Sequence, residues 1–364
     1  MPWSVRGTKP VSTRLVDEST GSGTRRQCSR GGSHGEEADC WNRRGCDELV
    51  VTIDDGSGRA AHHRFANDAG GHTELVRALT KNGGSARVCL EATGVYSLEV
   101  SLALHHADRV EVMVANPRAV RDFARARLAR SKTDALDADV LVEFARRMPF
   151  EPWQPPAVEV LEIRAISRRI VGLAKTRRQE RCRLHAARRA GSSSELVQDD
   201  IKAHIAQLEE RITALQQQAI ERIRSYAPMR KRFELLVSVT GIAETSGVHI
   251  LAELAVLPED MSVRQWVAHA GLDPRSFESG TSVYKRPRIS KVGNSHLRSA
   301  LYMPALVAVQ YEPNVRAFYD ALLARGKHKM QANVAVMRKL LHAIYGMTKH
   351  GERFDPEKFY RVAA

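Results

Sequence analysis

The sequence predicts an α/β domain, then a basic helical segment with a coiled-coil repeat, then a mainly α-helical C-terminal domain. Three observations carry this reading. Strand and helix patterns alternate between residues 47 and 148, as in a mixed sheet covered by helices. Apolar residues at Ile201, Ile205, Leu208, Ile212, Leu215 and Ala219 follow a 4-3-4-3-4 spacing. A glycine turn, Val239-Thr240-Gly241-Ile242-Ala243, joins two short helical runs.

The elements of the first domain follow in order. Leu49 to Ile53 is rich in β-branched residues and reads as a strand. Asp54-Asp55-Gly56-Ser57-Gly58 is turn chemistry, and His62 to Ala66 reads as the returning strand of a hairpin. Gly70 to Lys81 suits a helix, and Arg87 to Leu90 a short buried strand that ends at Glu91. A helix over Ser97–His106 leads to a strand over Val110–Val114, after which Pro117 opens a helix. The last helix runs from Thr133 to Arg146, and Pro149, Pro152, Pro155 and Pro156 make a stiff linker.

Residues 157–227 form the basic segment, with ten Lys or Arg against three acids between Ala157 and Ala190. Its repeat is open to two readings, a coiled coil or an amphipathic hairpin packed on its own domain. Residues 228–364 form the C-terminal domain. Its glycine turn resembles a helix-hairpin-helix, whose amides face phosphates, but also an αα-turn without a ligand. Residues 1–46 stand apart. They are rich in glycine, serine and arginine, lack apolar periodicity, and are expected to be disordered.

The 364 residues carry 56 Lys or Arg against 42 Asp or Glu, a net charge of +14. That excess favours a polyanionic partner. The longest apolar stretch, between Arg298 and Glu312, contains Pro304 and is too short to span a bilayer. No apolar run follows Met1 as in a secretory signal, and the five cysteines have no metal-site spacing. A cytoplasmic protein without a membrane partner is expected.

Two constellations can carry chemistry. Glu91 ends a buried strand, where α/β sheets place their sites. In Ser131-Lys132-Thr133-Asp134-Ala135-Leu136-Asp137-Ala138, the helix stacks Asp134 and Asp137 on one face. Two such carboxylates repel unless a cation compensates, and magnesium prefers oxygen ligands. The competing reading is a helix N-terminus capped by Thr133 or Ser131. The second constellation is Gly271-Leu272-Asp273-Pro274-Arg275, then Ser279-Gly280, then Lys285 to Asn294. Lys285, Arg286, Arg288, Lys291 and Arg298 have no acid among them. Ser279, in a flexible loop flanked by cations, suits either a nucleophile or a phosphate-positioning role. Arg177, Arg178 and Arg181 in the basic segment are further candidates for nucleic-acid contact.

Leu90-Glu91-Ala92-Thr93-Gly94-Val95-Tyr96, Lys132 to Ala138, and Ile289-Ser290-Lys291-Val292-Gly293-Asn294 through Arg298 together resemble the DEDD transposases of bacterial insertion sequences. These are recombinases guided by a structured bridge RNA. The resemblance covers Asp47 to Tyr360 and implies a RuvC-like (RNase H) domain, a coiled-coil linker and a C-terminal transposase domain with a helix-hairpin-helix. It implies four acids holding Mg2+ and a serine that attacks DNA. Glu91, Asp134 and Asp137 match the second, third and fourth acids, and Ser279 the serine. It also implies DNA and a structured guide RNA as partners. Strand exchange between two duplexes implies a homo-oligomer, a dimer or tetramer.

The first acid is the departure. Asp47-Glu48-Leu49-Val50-Val51 matches the family's second strand. Counting back from it places Arg43 where the first acid belongs, in a segment that does not read as a strand. Residues 47–148 are therefore expected to lack their first strand, with residues 1–46 arising from a shifted frame or a wrong start. The alternatives are a non-catalytic nucleic-acid-binding protein and a junction-resolving nuclease, which would use the same acids without Ser279.

Overall fold

A computed structural model describes residues 8–15, 47–54, 60–92, 94–127, 133–190, 194–279 and 283–361. The chain divides into two units, residues 1–155 and 156–364.

The first unit is built on a five-stranded sheet. Its strands are β1 (Thr8–Leu15), β2 (Glu48–Asp54), β3 (Ala60–Ala66), β4 (Ser85–Glu91) and β5 (Val110–Ala115), in the order β3-β2-β1-β4-β5. β1 is antiparallel to β2 and parallel to β4. α1 (Ala69–Leu79) and α2 (Val95–His105) lie between strands, and α3 (Pro117–Ala126) and α4 (Asp134–Arg147) follow β5. Asp68 caps α1, Asn116 caps α3 ahead of Pro117, and Thr133 caps α4. Alternation along β4 divides the core. Val88 and Leu90 pack with Leu75, Leu79, Val100 and Leu104 of α1 and α2. Cys89 faces the other way, against Val120 of α3 and Leu141 and Phe144 of α4. That burial pushes the Cys89 thiol up to about 12.

The central strand corrects the sequence expectation. Residues 47–148 do not lack a first strand, because Thr8–Leu15 supplies it. Lys9 and Pro10 argue locally against a central strand. What holds β1 is backbone pairing on both sides, which satisfies groups that β2 and β4 would otherwise leave unpaired. Disorder therefore does not extend over residues 8–15. Residues 1–7 and 16–46, Arg43 among them, lie outside the described residues, as does the expected turn at 55–58.

The second unit begins with two long helices, α5 (Val158–Arg189) and α6 (Glu195–Ser225). Ile170 and Leu173 of α5 pack against Leu208 and Ile212 of α6. The partner of the heptad stripe is thus a helix of the same chain. Val160 and Ile163 continue into the core of the remaining helices. These are α7 (Ala227–Val237), α8 (Glu244–Leu254), α9 (Val263–His269), α10 (Ser295–Ala300), α11 (Tyr302–Tyr311), α12 (Pro313–Ala324), α13 (Lys329–His350) and α14 (Pro356–Phe359).

Gly241, in the turn between α7 and α8, has φ 99°. A Cβ there would lie 2.6 Å from the Pro304 carbonyl oxygen of α11. This glycine serves close helix packing. Residues 274–289, expected as a flexible loop, instead hold a two-stranded hairpin, β6 (Pro274–Ser279) and β7 (Val283–Ile289). The hairpin is invisible to periodicity because its described side chains bury little, so no apolar alternation is required. Among the described residues, no helix is long and apolar enough to cross a membrane.

Candidate active site

Glu91 closes β4 two residues after Cys89, so alternation puts it on the α4 side of the sheet. The direction of α4 follows from two contacts. Thr52 in β2 donates to Asp139 at 3.0 Å, and Asp54 at the end of β2 pairs with Arg146. α4 therefore runs with β2 and against β1 and β4. Its N-terminus, with Asp134 and Asp137, lies at the edge of the sheet where Glu91 ends β4. Asp134 and Asp137 head the stripe that continues into buried Ala138 and Leu141. Thr133 accepts the Leu136 N–H at 3.3 Å, so the cap and the acid pair coexist.

The remaining acids of α4 have structural partners. Asp139 also meets His62 at 2.9 Å. Glu143 pairs with Arg146 and Arg147, and the Arg147 hydrogen bond leads in holding its carboxyl below the ordinary value. Asp54 is buried at the opposite end of the sheet from Glu91. Ile53 pairs with Val11 and Leu90 with Thr13, which puts Asp54 beside position 10 and Glu91 beside position 14. Four strand residues span roughly 13 Å, too far for two ligands of one ion. Asp54 cannot stand in for the first acid. β1 itself, Thr8–Leu15, contains no acid, and Arg14 is the register position beside Glu91.

A cation site would draw on Glu91, Asp134 and Asp137, whose oxygens suit a hard divalent ion. Among the described residues, no three acids, histidines or cysteines gather as a metal cage. The donor type fits, and the set is incomplete.

Ser279 ends β6 and pairs in register with Val283 at the tip of the hairpin. The base of the hairpin is clasped. Ser290 donates its N–H to the Asp273 carbonyl at 2.9 Å and its hydroxyl to the Asp273 carboxylate at 2.5 Å. Asn294 donates its N–H to the His269 carbonyl at 2.6 Å and caps α10 with its side chain. Gly293, at φ 103°, would bring a Cβ to 2.3 Å from the His269 carbonyl oxygen. Gly293→Ala is expected to lower stability by about 3 kcal/mol, as left-handed strain adds to a backbone clash. Thermal unfolding checks it, and an unchanged melting temperature would mean that the clasp is dispensable.

A buried network with little signature in the sequence stands behind the clasp. Glu253 of α8 is 1% exposed and accepts from Arg168 at 2.9 Å, Arg164 at 3.3 Å and Asn294 at 2.6 Å. Burial alone would raise its carboxyl. Hydrogen bonds from Arg168 and Asn294 and the charges of both arginines outweigh it and hold the group at about 2. Ser167 of α5 meets His249 at 2.8 Å. Burial lowers both His249 and His269 below the ordinary imidazole value. The one available signal is a glutamate inside an apolar helix, Ile250-Leu251-Ala252-Glu253-Leu254.

The candidate nucleic-acid residues separate into two groups. Arg298 points inward and donates to the Ala270 carbonyl at 2.9 Å. Arg181 and Arg177 pair with Glu209 of α6, so they tie the helical hairpin together. Arg178, Arg288 and Lys291 are exposed, and no ion pair holds them among the described residues. The side chains of Lys285 and Arg286 lie outside the described residues. Exposed Lys175, Arg178, Cys182, His185 and Arg189 follow a 3-4-3-4 spacing along one face of α5. Lys175 and Arg189 belong to the basic stretch 164–189 that the sequence offers for nucleic-acid contact, and the helix places them on one face with Arg178.

Residues 47–188 match a DEDD transposase model of the IS110 type. Residues 233–320 match the model described as transposase of the IS116/IS110/IS902 family. The chain belongs to this transposase family. It is thus a DNA transposase or recombinase by class, and the DEDD type suggests a divalent cation. The IS110-type match begins at Asp47, after β1. A pilin gene-inverting protein of Moraxella bovis is 28% identical to this IS110-family chain over 296 residues, covering 80% of the chain and 89% of the relative. An uncharacterized 43.6 kDa protein of insertion element IS110 from Streptomyces coelicolor is 30% identical over 125 residues, covering 33% of the chain and 30% of the relative.

Proposed function

We propose that this IS110-family transposase rearranges DNA through a covalent link to Ser279, with Glu91, Asp134 and Asp137 as the residues that would hold Mg2+. The supporting observation is the direction of α4, which puts Asp134 and Asp137 at the sheet edge where Glu91 ends β4. The Ser279 hydroxyl attacks a phosphodiester. A Ser–O–P bond forms as the P–O bond to one sugar breaks, and that sugar leaves as a hydroxyl with the serine proton. An incoming sugar hydroxyl reverses the exchange on a second strand, so bond count is conserved. The ion, when bound, supplies Lewis-acid stabilisation of the phosphoryl oxygens. RuvC-like and transposase domains, a structured guide RNA that selects both DNA partners, and a homo-oligomeric assembly of two or four copies complete this reading, on the family resemblance.

The test is trapping of a protein–DNA adduct on supercoiled DNA that carries the element ends, with guide RNA and magnesium. Ser279→Ala is expected to abolish the adduct while the melting temperature holds, since one hydroxyl near a hairpin tip contributes little to folding. An adduct that survives in the mutant rules out Ser279 as the nucleophile. A second reading, binding without cleavage, is favoured by the absence of an acid from β1. Tight, magnesium-independent binding without nicking would select it.

Binding is also expected to weaken steeply with salt, because neutralised phosphates release counterions. Replacing Lys175, Arg178 and Arg189 with Gln should flatten the plot of log K against log salt. The same change at Arg177 and Arg181 should leave the slope nearly intact, since Glu209 engages both. Equal slopes for the two variants and the parent would place the interface elsewhere.

A further inference from the structure

A groove of about 440 Å³ opens between the base of the β6–β7 hairpin and helices α12 and α13. Its apolar lining includes Leu272, Ile289 and Val334, with the exposed Met330 beside them. Its lining includes Arg288, Lys291, Lys327 and Arg338 and no carboxylate. None of these four cations has an ion-pair partner among the described residues. Lys291 is held at φ 53° by the clasp, which fixes its backbone beside the groove.

We infer that this groove holds an unpaired stretch of the DNA strand that Ser279 attacks. The inference rests on the proposed role of Ser279 for the choice of DNA. Four cations around the groove repel a basic partner and draw a polyanion. An aliphatic lining offers nothing to the outside of a duplex, where phosphates and sugars face out and base faces are stacked away. It can receive the face of an unstacked base while the cations take the flanking phosphates, the arrangement of single-strand grooves. Strand exchange requires such an unpaired stretch.

The hairpin also sets a distance. From Pro274, beside the groove, to Ser279 is five strand residues, roughly 17 Å. A stacked strand advances about 3.4 Å per nucleotide and an unstacked one advances further, so the engaged base lies within about five nucleotides of the attacked phosphate.

The experiment uses the full chain carrying Ser279→Ala, without magnesium, so that cleavage plays no part. Fluorescence anisotropy compares a single-stranded DNA, the same duplex, and an RNA of the same sequence. Lys327→Gln with Arg338→Gln should weaken single-strand binding at least about tenfold. The salt slope should fall by about 1.4, at about 0.7 for each phosphate no longer neutralised. Duplex binding should stay within about twofold, since the groove does not take it. Met330→Trp is a gain-of-function control that misfolding cannot imitate. An aromatic ring at this exposed lining position should tighten single-strand binding by on the order of fivefold. 2-Aminopurine within about five nucleotides of the scissile position should change its emission on binding, more than at positions beyond that window.

Equal losses for single strand and duplex would overturn the inference in favour of general electrostatics. A loss confined to RNA would replace the occupant with the guide. Unchanged affinity in both the double variant and Met330→Trp would leave the groove without a nucleic-acid role. These readouts are independent of the adduct assay, so failure of Ser279 as nucleophile and failure of the groove are told apart.

Discussion

Asp137→Asn is expected to abolish DNA cleavage while nucleic-acid binding stays within about twofold. The substitution keeps the shape of the side chain and removes its charge. If the carboxylate holds a cation, the loss should be roughly 10³-fold, about 4 kcal/mol in the barrier. Asp134→Asn should behave the same way. Neither should melt far from the parent, because Thr133 still caps α4. Nicking of supercoiled plasmid across a magnesium titration checks this. If binding fell and cleavage per bound complex did not, the acids would serve only the helix N-terminus. The register of β1 supplies a gain-of-function companion. The β1–β4 ladder ends with Thr13 opposite Leu90, so continuing its register puts Arg14, a cationic residue, at the position next to Glu91. Arg14→Asp should increase magnesium-dependent nicking over the parent chain. No increase would mean that the missing acid is supplied from another position.

The second large effect is on stability. Glu253→Gln is expected to lower the melting temperature of the second unit by about 10 °C. Removing one member of a buried ionic cluster costs about 3–5 kcal/mol, because Arg164 and Arg168 lose their counter-charge. The pH dependence has a definite sign. The folded Glu253 carboxyl lies at about 2 against an ordinary 4.5. The unfolded chain thus binds more protons between those values, and stability falls as pH falls through that window. The contribution, on the order of 3 kcal/mol, is complete above 4.5 and lost toward pH 2. His249 and His269 act at higher pH. Burial lowers both, so their contribution is present above 6.5 and declines below it. Calorimetry of the parent from about pH 7 to about pH 3 should therefore show two successive losses, and Glu253→Gln should lack the lower one. A variant that melts with the parent would mean that the arginines find other partners.

Local chemistry alone makes much of the first unit legible. β2 and β5 announce themselves through β-branched residues, β4 through the short apolar run Val88-Cys89-Leu90, and α3 and α4 through Asn116-Pro117 and Thr133. Glu91, Asp134, Asp137 and Ser279 stand out by their place at a strand end, their spacing of three, and their cationic surroundings. The order of the two matched family models along the chain agrees with the order of those motifs.

Only the tertiary structure decided the rest, and each time through partners distant in sequence. β1 exists because β2 and β4 offer it backbone ladders on both sides, against the local message of Lys9 and Pro10. Asp54 has the look of a strand-end acid, and antiparallel pairing carries it to the opposite edge, against Arg146. Arg177, Arg181 and Arg298 belong to a basic composition, yet Glu209 and the Ala270 carbonyl claim them. Composition records how many cations a chain carries. Which of them remain for a partner depends on which acids and carbonyls the fold brings alongside, and that is a property of packing.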